Sequence, residues 1–264
     1  MTEPDAGIAF QFDDAGARRV EAMYQTPDIV EQRARTLERL ALRPGEYVLD
    51  LGCGPGLLAL EMAGRVGPAG RVDGLDASPS MLALAGRRCA SRPWVHLHSG
   101  DVTALPFEDN AFDAAVSAQV YEFVPDIRRA LGELRRVLKP GGRAIIIDTD
   151  WESCVWHSGD DARMRRVLAC WDAHCPHPHL PRELVPRLHA AGLTVTSVGV
   201  IPIVNVAFDP LSYSAGAIEM LADYARAHLD ERTAADWAAD LRVLAERGEY
   251  FFSLNRYVFE VSAP

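Results

Sequence analysis

The stretch Glu46 to Gly56, E-Y-V-L-D-L-G-C-G-P-G, sets a short apolar run against three glycines at alternate positions, and Leu57-Leu58-Ala59-Leu60-Glu61-Met62 follows directly. A run too short for a helix, then a breaker, then a helix-forming run reads as buried strand, tight turn, helix. A chain with such a unit is committed to an α/β sheet whose ligand sits at the strand's carboxyl end. Gly52, Gly54 and Gly56 let the backbone turn and let a ligand approach without a Cβ in the way. The backbone N–H groups of the turn point at whatever is bound there, and Asp50 stands at the end of the strand.

Two kinds of cofactor use such a turn. A dinucleotide fingerprint is spaced G-x-G-x-x-G and holds a diphosphate on the helix N-terminus. Here the spacing is G-x-G-x-G, and the acid Asp50 precedes the first glycine. A carboxylate repels a diphosphate and attracts an ammonium, so an amino-acid-bearing nucleoside such as S-adenosylmethionine fits better than NAD. Further strand ends follow. The stretch 70–76 ends in Asp76, placed to accept from both ribose hydroxyls. Trp94 to His98 ends at Gly100-Asp101-Val102, where Asp101 can accept from an adenine amino group. Phe112 to Val116 opens onto Ser117-Ala118-Gln119, and Leu138-Lys139-Pro140-Gly141-Gly142-Arg143 turns into a fifth strand, Ala144 to Ile147.

On these motifs, which cover roughly Tyr24 to Asp150, the chain resembles the class I S-adenosylmethionine-dependent methyltransferases. Within them it is similar to the small-molecule branch that includes the ubiquinone/menaquinone, sugar and arsenite methyltransferases. The resemblance implies a Rossmann-like, seven-stranded, mostly parallel sheet with an antiparallel C-terminal strand pair and helical lid insertions. It implies transfer of a methyl group to a small molecule, with S-adenosylhomocysteine as product. It also implies that Tyr24 and Arg33, on N-terminal helices, reach the methionine end of the cofactor. The candidate cofactor set is completed by Ala77 and Met81 after the second strand, Gly100 and Val102 beside Asp101, and Ser117 and Tyr121 after the fourth strand. In sugar O-methyltransferases a histidine after the fourth strand and an aspartate ending the fifth take a proton. Glu122 and Asp148 stand at those positions here; the aspartate matches in type and the histidine does not, which leaves the base and a sugar acceptor open.

The 264 residues, 48% of them apolar, suit one domain. Residues 1–45 are expected as an N-terminal helical cover, with helices over Arg18 to Tyr24 and Ile29 to Leu42 broken at Pro27, after an irregular stretch up to Gly16. Residues 46–148 form the cofactor-binding core, with helices Leu57 to Val66, Pro79 to Ala90 (capped by Ser78) and Asp126 to Leu138. Thr194 to Val206 and Tyr250 to Val261, rich in β-branched and aromatic residues, are the last two strands. Two insertions remain, 149–180 and 209–248. The second reads as helices Leu211 to Leu229 and Ala234 to Arg247, with a capping box at Thr233-Ala-Ala-Asp236 and a stop at Gly248.

The net charge of −10 argues against a nucleic-acid surface. No Pro-Pro-Tyr or Pro-Cys of base methylation follows the fourth strand. No signal segment and no run of eighteen apolar residues is present, so a cytoplasmic chain without a membrane span, monomer or homodimer, is expected. The five cysteines are scattered, as reduced thiols are. His174-Cys175-Pro176-His177-Pro178-His179 lacks a second ligand pair at zinc spacing, and its prolines hold it extended, so no metal is assigned. Trp151, Trp156, Trp171, Tyr213, Trp237, Phe251 and Phe252 concentrate in or beside the insertions, where with His157 they suit a planar or greasy small molecule. Glu122, Asp148 and His157 are the candidate catalytic bases. The residues alone do not separate a methyltransferase from a cofactor-binding chain with another task, such as cyclisation or a scaffold role. An NAD-type oxidoreductase is disfavoured by Asp50 and the glycine spacing.

Overall fold

The computed structural model describes residues 14–264. Its strands are β1 (Tyr47–Leu51), β2 (Arg71–Asp76), β3 (Val95–Ser99), β4 (Phe112–Ala118), β5 (Leu138–Thr149), β6 (Val155–Trp156), β7 (Thr194–Asn205) and β8 (Phe252–Ser262). They form one sheet in the order β3-β2-β1-β4-β5-β8-β6, with β7 paired to β8. β1 to β5 run parallel, and β8 runs antiparallel to β5, β6 and β7. The strand order reverses between β1 and β4, and such a switch point opens a crevice at the carboxyl ends of the two strands. The expected seven strands are all present. The eighth, β6, has two residues: β5 leaves β8 at Thr149↔Arg256, and β6 rejoins it at Val155↔Ser253.

Period-2 alternation along β1 divides the core. Leu49 and Leu51 pack in the cluster that includes Leu131 and Leu134 of α5 (Ile127–Val137) and Leu184 and Leu188 of α7 (Leu184–Ala190). Val48 packs in the cluster of Leu37 and Leu40 of α2 (Pro27–Leu40) and Met62 of α3 (Leu57–Val66). Helices thus cover both faces, as a parallel sheet requires. Asp50 has the parity of Val48 and stands one residue before the end of β1, nearly enclosed at 2% exposure.

The N-terminal cover is α1 (Asp14–Met23) and α2; Pro27 opens α2 rather than merely breaking the chain, because the first helical position needs no N–H. Of the irregular stretch expected up to Gly16, residues 1–13 lie outside the described residues, and Asp14–Gly16 belong to α1. Ser78 caps α4 (Pro79–Cys89) by accepting from the Met81 N–H, and Pro79 follows it at the first helical position.

The two insertions pack as one apolar body. The first contributes α6 (Asp161–Trp171), a helix the sequence reading did not place; the second contributes α8 (Tyr213–His228) and α9 (Glu231–Glu246). Trp156, Trp171, Trp237, Tyr213, Tyr250 and Phe252 are buried together there. The expected capping box is corrected: Asp230 caps α9 by accepting from the Thr233 N–H at 2.7 Å. Thr233 therefore lies inside the first turn, and a carboxylate at the cap also meets the helix dipole.

Candidate active site

The three glycines of the turn serve three different ends. A Cβ on Gly52 would lie 2.3 Å from Val120 Cγ2, and one on Gly56 would lie 2.9 Å from the Ala85 backbone of α4. Those two positions let the β4 loop and a helix approach closely. Gly54, at φ +52°, has nothing within 4 Å of the same point. It faces a cavity of about 830 Å³ that its neighbours Gly52, Cys53 and Pro55 also line. The Gly54 N–H donates to Asp76 Oδ2 and the Ser78 N–H to Asp76 Oδ1, each at 2.8 Å. Asp76 is thus fixed between the turn and α4, and each carboxylate oxygen keeps a lone pair for a further donor.

Asp50 also lines the cavity, and its Oδ2 has no hydrogen-bond partner. Burial, with the repulsion of Asp76 second, pushes its carboxyl up to about 8. Burial likewise raises Asp76, against the pull of its backbone donors. A buried carboxyl with one oxygen unpartnered, beside an open glycine cradle, fits an ammonium group, and a diphosphate would meet two acids there. Ala77, Met81, Gly100, Asp101 and Val102 continue the wall, and Tyr24 and Arg33 close it from the N-terminal helices. Arg33 is held by Glu61, at 2.9 Å, and by the Tyr24 carbonyl.

Three residues of the expected cofactor set do not line the cavity. Gly56 packs helix on helix. Ser117 and Tyr121 are buried behind the wall, Tyr121 within the α5 cluster.

The three candidate bases separate. Glu122 lines the cavity; its Oε2 accepts from Trp151 Nε1 at 3.0 Å and its Oε1 has no partner. Burial raises it to about 7, against the pull of Arg256. Asp148 is fully buried and does not line the cavity, and burial together with neighbouring Glu122 raises it well above its ordinary value. His157 is exposed and outside the cavity. The reason is strand alternation: Trp156 points inward, so the residues on either side of it face out.

Beyond Glu122 the cavity becomes aromatic. Phe123, Trp151, Trp171, His174 and Tyr213 line this half, with Met220 beside them. His174 stacks on Trp171 at 4.0 Å, and its Nδ1 lies 2.6 Å from the Trp171 carbonyl, which makes it the donor nitrogen. Burial lowers this imidazole to about 4, so it is neutral near pH 7. The histidine tract therefore disperses: His177 turns to the Pro125 carbonyl and His179 to Asp150. Among the described residues the one group of three candidate metal ligands is Asp150, Glu152 and His179, and Arg182 bridges its two acids. All five cysteines are free thiols.

The sequence reading missed Arg256, which lines this half at 2% exposure. A signal was available. Leu254, Arg256 and Val258 share one face of β8 and all three point inward, so the arginine occupies a core position in an apolar strand.

A doubly wound sheet, a glycine turn open to a cavity, and acids at successive strand ends together make up a methyltransferase domain. Residues 49–146 match the family model described as a methyltransferase domain. A 2-phytyl-1,4-naphtoquinone methyltransferase of Trichormus variabilis is 49% identical over 109 residues, 40% of this chain and 48% of that protein. A demethylmenaquinone methyltransferase of Symbiobacterium thermophilum is 43% identical over 109 residues, 40% of this chain and 43% of that protein. The chain thus spans about half the length, or less, of these curated relatives. Among solved structures, the (4+2)-cyclase SpnF matches with a TM-score of 0.58 at 24% identity, covering 99% of this chain and 85% of that one. The Haemonchus contortus phosphoethanolamine N-methyltransferase 2 matches at 0.63 and 19% identity, covering 96% of this chain and 58% of that one. Both matches show the fold. Among the described residues no helix is long and apolar enough to cross a membrane.

Proposed function

We propose that this chain transfers a methyl group from S-adenosylmethionine to a flat, quinone-related small molecule, with the insertions 149–180 and 209–248 acting as a lid over the acceptor. One observation carries the reading: a single cavity runs from the glycine turn at Gly54 to the aromatic half around Trp151 and Trp171. Donor and acceptor therefore share one cavity. The names of the quinone methyltransferases among the relatives supply the acceptor class.

The cofactor, when bound, supplies a methyl group activated on a sulfonium. Asp50 holds the ammonium, Asp76 the ribose hydroxyls, and Asp101 with Val102 the adenine. The aromatic half stacks the acceptor and excludes water, and alignment of two reactants in one volume lowers the barrier by up to about 7–11 kcal/mol. Glu122 is the cavity-lining carboxylate whose ionisation lies near neutrality, and it takes a proton from an acceptor hydroxyl.

A second reading has one observation in its favour. The fold match to the cyclase covers nearly the whole chain, insertions included, so the architecture also suits a catalyst that holds the cofactor without moving a methyl. The acceptor class is tested by titrating menadione into protein saturated with S-adenosylhomocysteine. Saturable quenching of tryptophan fluorescence, weakened in Trp151→Phe, is the expected result. Absence of saturable quenching overturns the flat-acceptor assignment.

A further inference from the structure

Arg256 is a buried cation without an anion. Its guanidinium lines the aromatic half of the cavity, and among the described residues no carboxylate lies within ion-pair distance of it. Its two terminal nitrogens donate to neutral oxygens, Thr149 Oγ1 and, at 2.9 Å, the Tyr213 hydroxyl; Nε has no partner. Thr149 in turn donates to Gln119 Oε1 at 2.6 Å, which fixes its lone pairs toward the guanidinium. The cation also lies over two rings, 5.1 Å from the centre of Tyr213 and 5.9 Å from that of Trp151.

An arginine does not shed its proton to escape such a site. Taking a charge out of water is costly unless an opposite charge answers it. The titratable neighbours do not answer it fully. Burial pushes the Tyr24 phenol up to about 12 and raises that of Tyr213, so both are neutral. His174 is neutral, and burial together with Glu122 raises Asp148 well above its ordinary value, which disfavours its charged form. Glu122 is the remaining acid, close to half ionised at neutrality and already bonded to Trp151. The acceptor half thus carries an unanswered positive charge inside a chain whose net charge is −10.

We propose that Arg256 is the acceptor's anion anchor: the chain selects flat aromatic molecules that present an oxyanion, a phenolate or enolate, to this guanidinium. The inference rests on the flat-acceptor reading above and adds the charge of the molecule and the residue that recognises it. The proton balance is simple. Glu122 in its carboxylate form takes the hydroxyl proton and becomes neutral, and the negative charge passes to the acceptor oxygen. Arg256 thereby exchanges a distant partial counterion for a direct one. The Nε–H, with no partner of its own, is the donor left for that oxygen.

Two naphthoquinones of nearly the same shape test it. 2-Hydroxy-1,4-naphthoquinone is an acidic enol, anionic at pH 7, and 2-methoxy-1,4-naphthoquinone is its neutral counterpart. Each is titrated into wild-type protein and Arg256→Gln, both saturated with S-adenosylhomocysteine, and calorimetric cofactor affinity serves as the folding check. Wild type is expected to bind the anion about tenfold or more tighter than the neutral compound, the range of a hydrogen bond to a charged group. Arg256→Gln should lose that preference while keeping its affinity for the neutral compound. Equal binding of the two probes by wild type overturns the anchor and leaves the flat-acceptor reading standing. Binding of neither probe overturns both. If the variant fails to fold, the wild-type comparison is repeated at a pH low enough to protonate the enol. There the preference must vanish, and a preference that persists contradicts the assignment.

Discussion

Asp50 makes the cofactor's affinity depend on pH in a direction that its surroundings fix. Its carboxyl, raised to about 8 by burial and by Asp76, is mostly protonated at neutrality in the empty cavity. An ammonium is bound by the carboxylate and not by the acid, so binding must expel the proton. Affinity is therefore expected to rise with pH below about 8. From pH 6 to pH 7 the ionised fraction of a group titrating at about 8 grows about ninefold, and the dissociation constant of S-adenosylhomocysteine should fall by about the same factor. The ligand's own amine stays charged over that interval, so the change belongs to the protein. Calorimetry in two buffers of different ionisation enthalpy checks it by counting protons, with close to one released per cofactor bound at pH 7. Asp50→Asn should bind weakly, with a flat profile and no proton release. Flat wild-type affinity between pH 6 and 7, without proton release, would refute the placement of the ammonium against Asp50.

Gly54→Val is expected to abolish cofactor binding at a cost to stability of only about 1–2 kcal/mol for a side chain in the left-handed region; calorimetry and denaturant unfolding read the two effects separately. Glu122→Gln should slow turnover about a hundredfold or more, and the wild-type rate should rise as pH increases through about 7, where Glu122 becomes a base. His157→Asn, changed outside the cavity, should leave the rate unaltered in the same assay. Trp237→Ala, emptying a fully buried position among α6, α8 and α9, should destabilise by about 3–5 kcal/mol in urea unfolding.

What could be read from the sequence was what local chemistry dictates. β1 and α3 lie at the expected residues because the apolar run, the glycines and the helix formers are contiguous, so each boundary is set within a few residues. Asp50, Asp76 and Asp101 reach one cavity because parallel strands bring their carboxyl ends to one side. What could not be read depends on contacts remote in sequence. Glu122 and Asp148 are equivalent as residue types, yet one lines the cavity and the other lies behind it. His157 was a plausible base until the two-residue strand β6 turned it outward. Arg256 became a site residue only because Thr149, Trp151 and Tyr213, more than 40 positions away, close around it. The aromatic residues of the insertions were visible as a group, but which of them face the cavity was decided by the packing of α6, α8 and α9.

A methyl group is expected to pass between two molecules held in this one cavity. Purified protein is incubated at pH 7.5 with methyl-labelled S-adenosylmethionine and a reduced 1,4-naphthoquinone lacking its ring methyl, and the products are separated by mass. One labelled methyl on the acceptor per S-adenosylhomocysteine formed is expected, with turnover slowed about a hundredfold or more in Glu122→Gln. Tight binding of both molecules, with no label on the acceptor under any reducing condition, would contradict it and leave the chain as a cofactor-holding catalyst of another reaction.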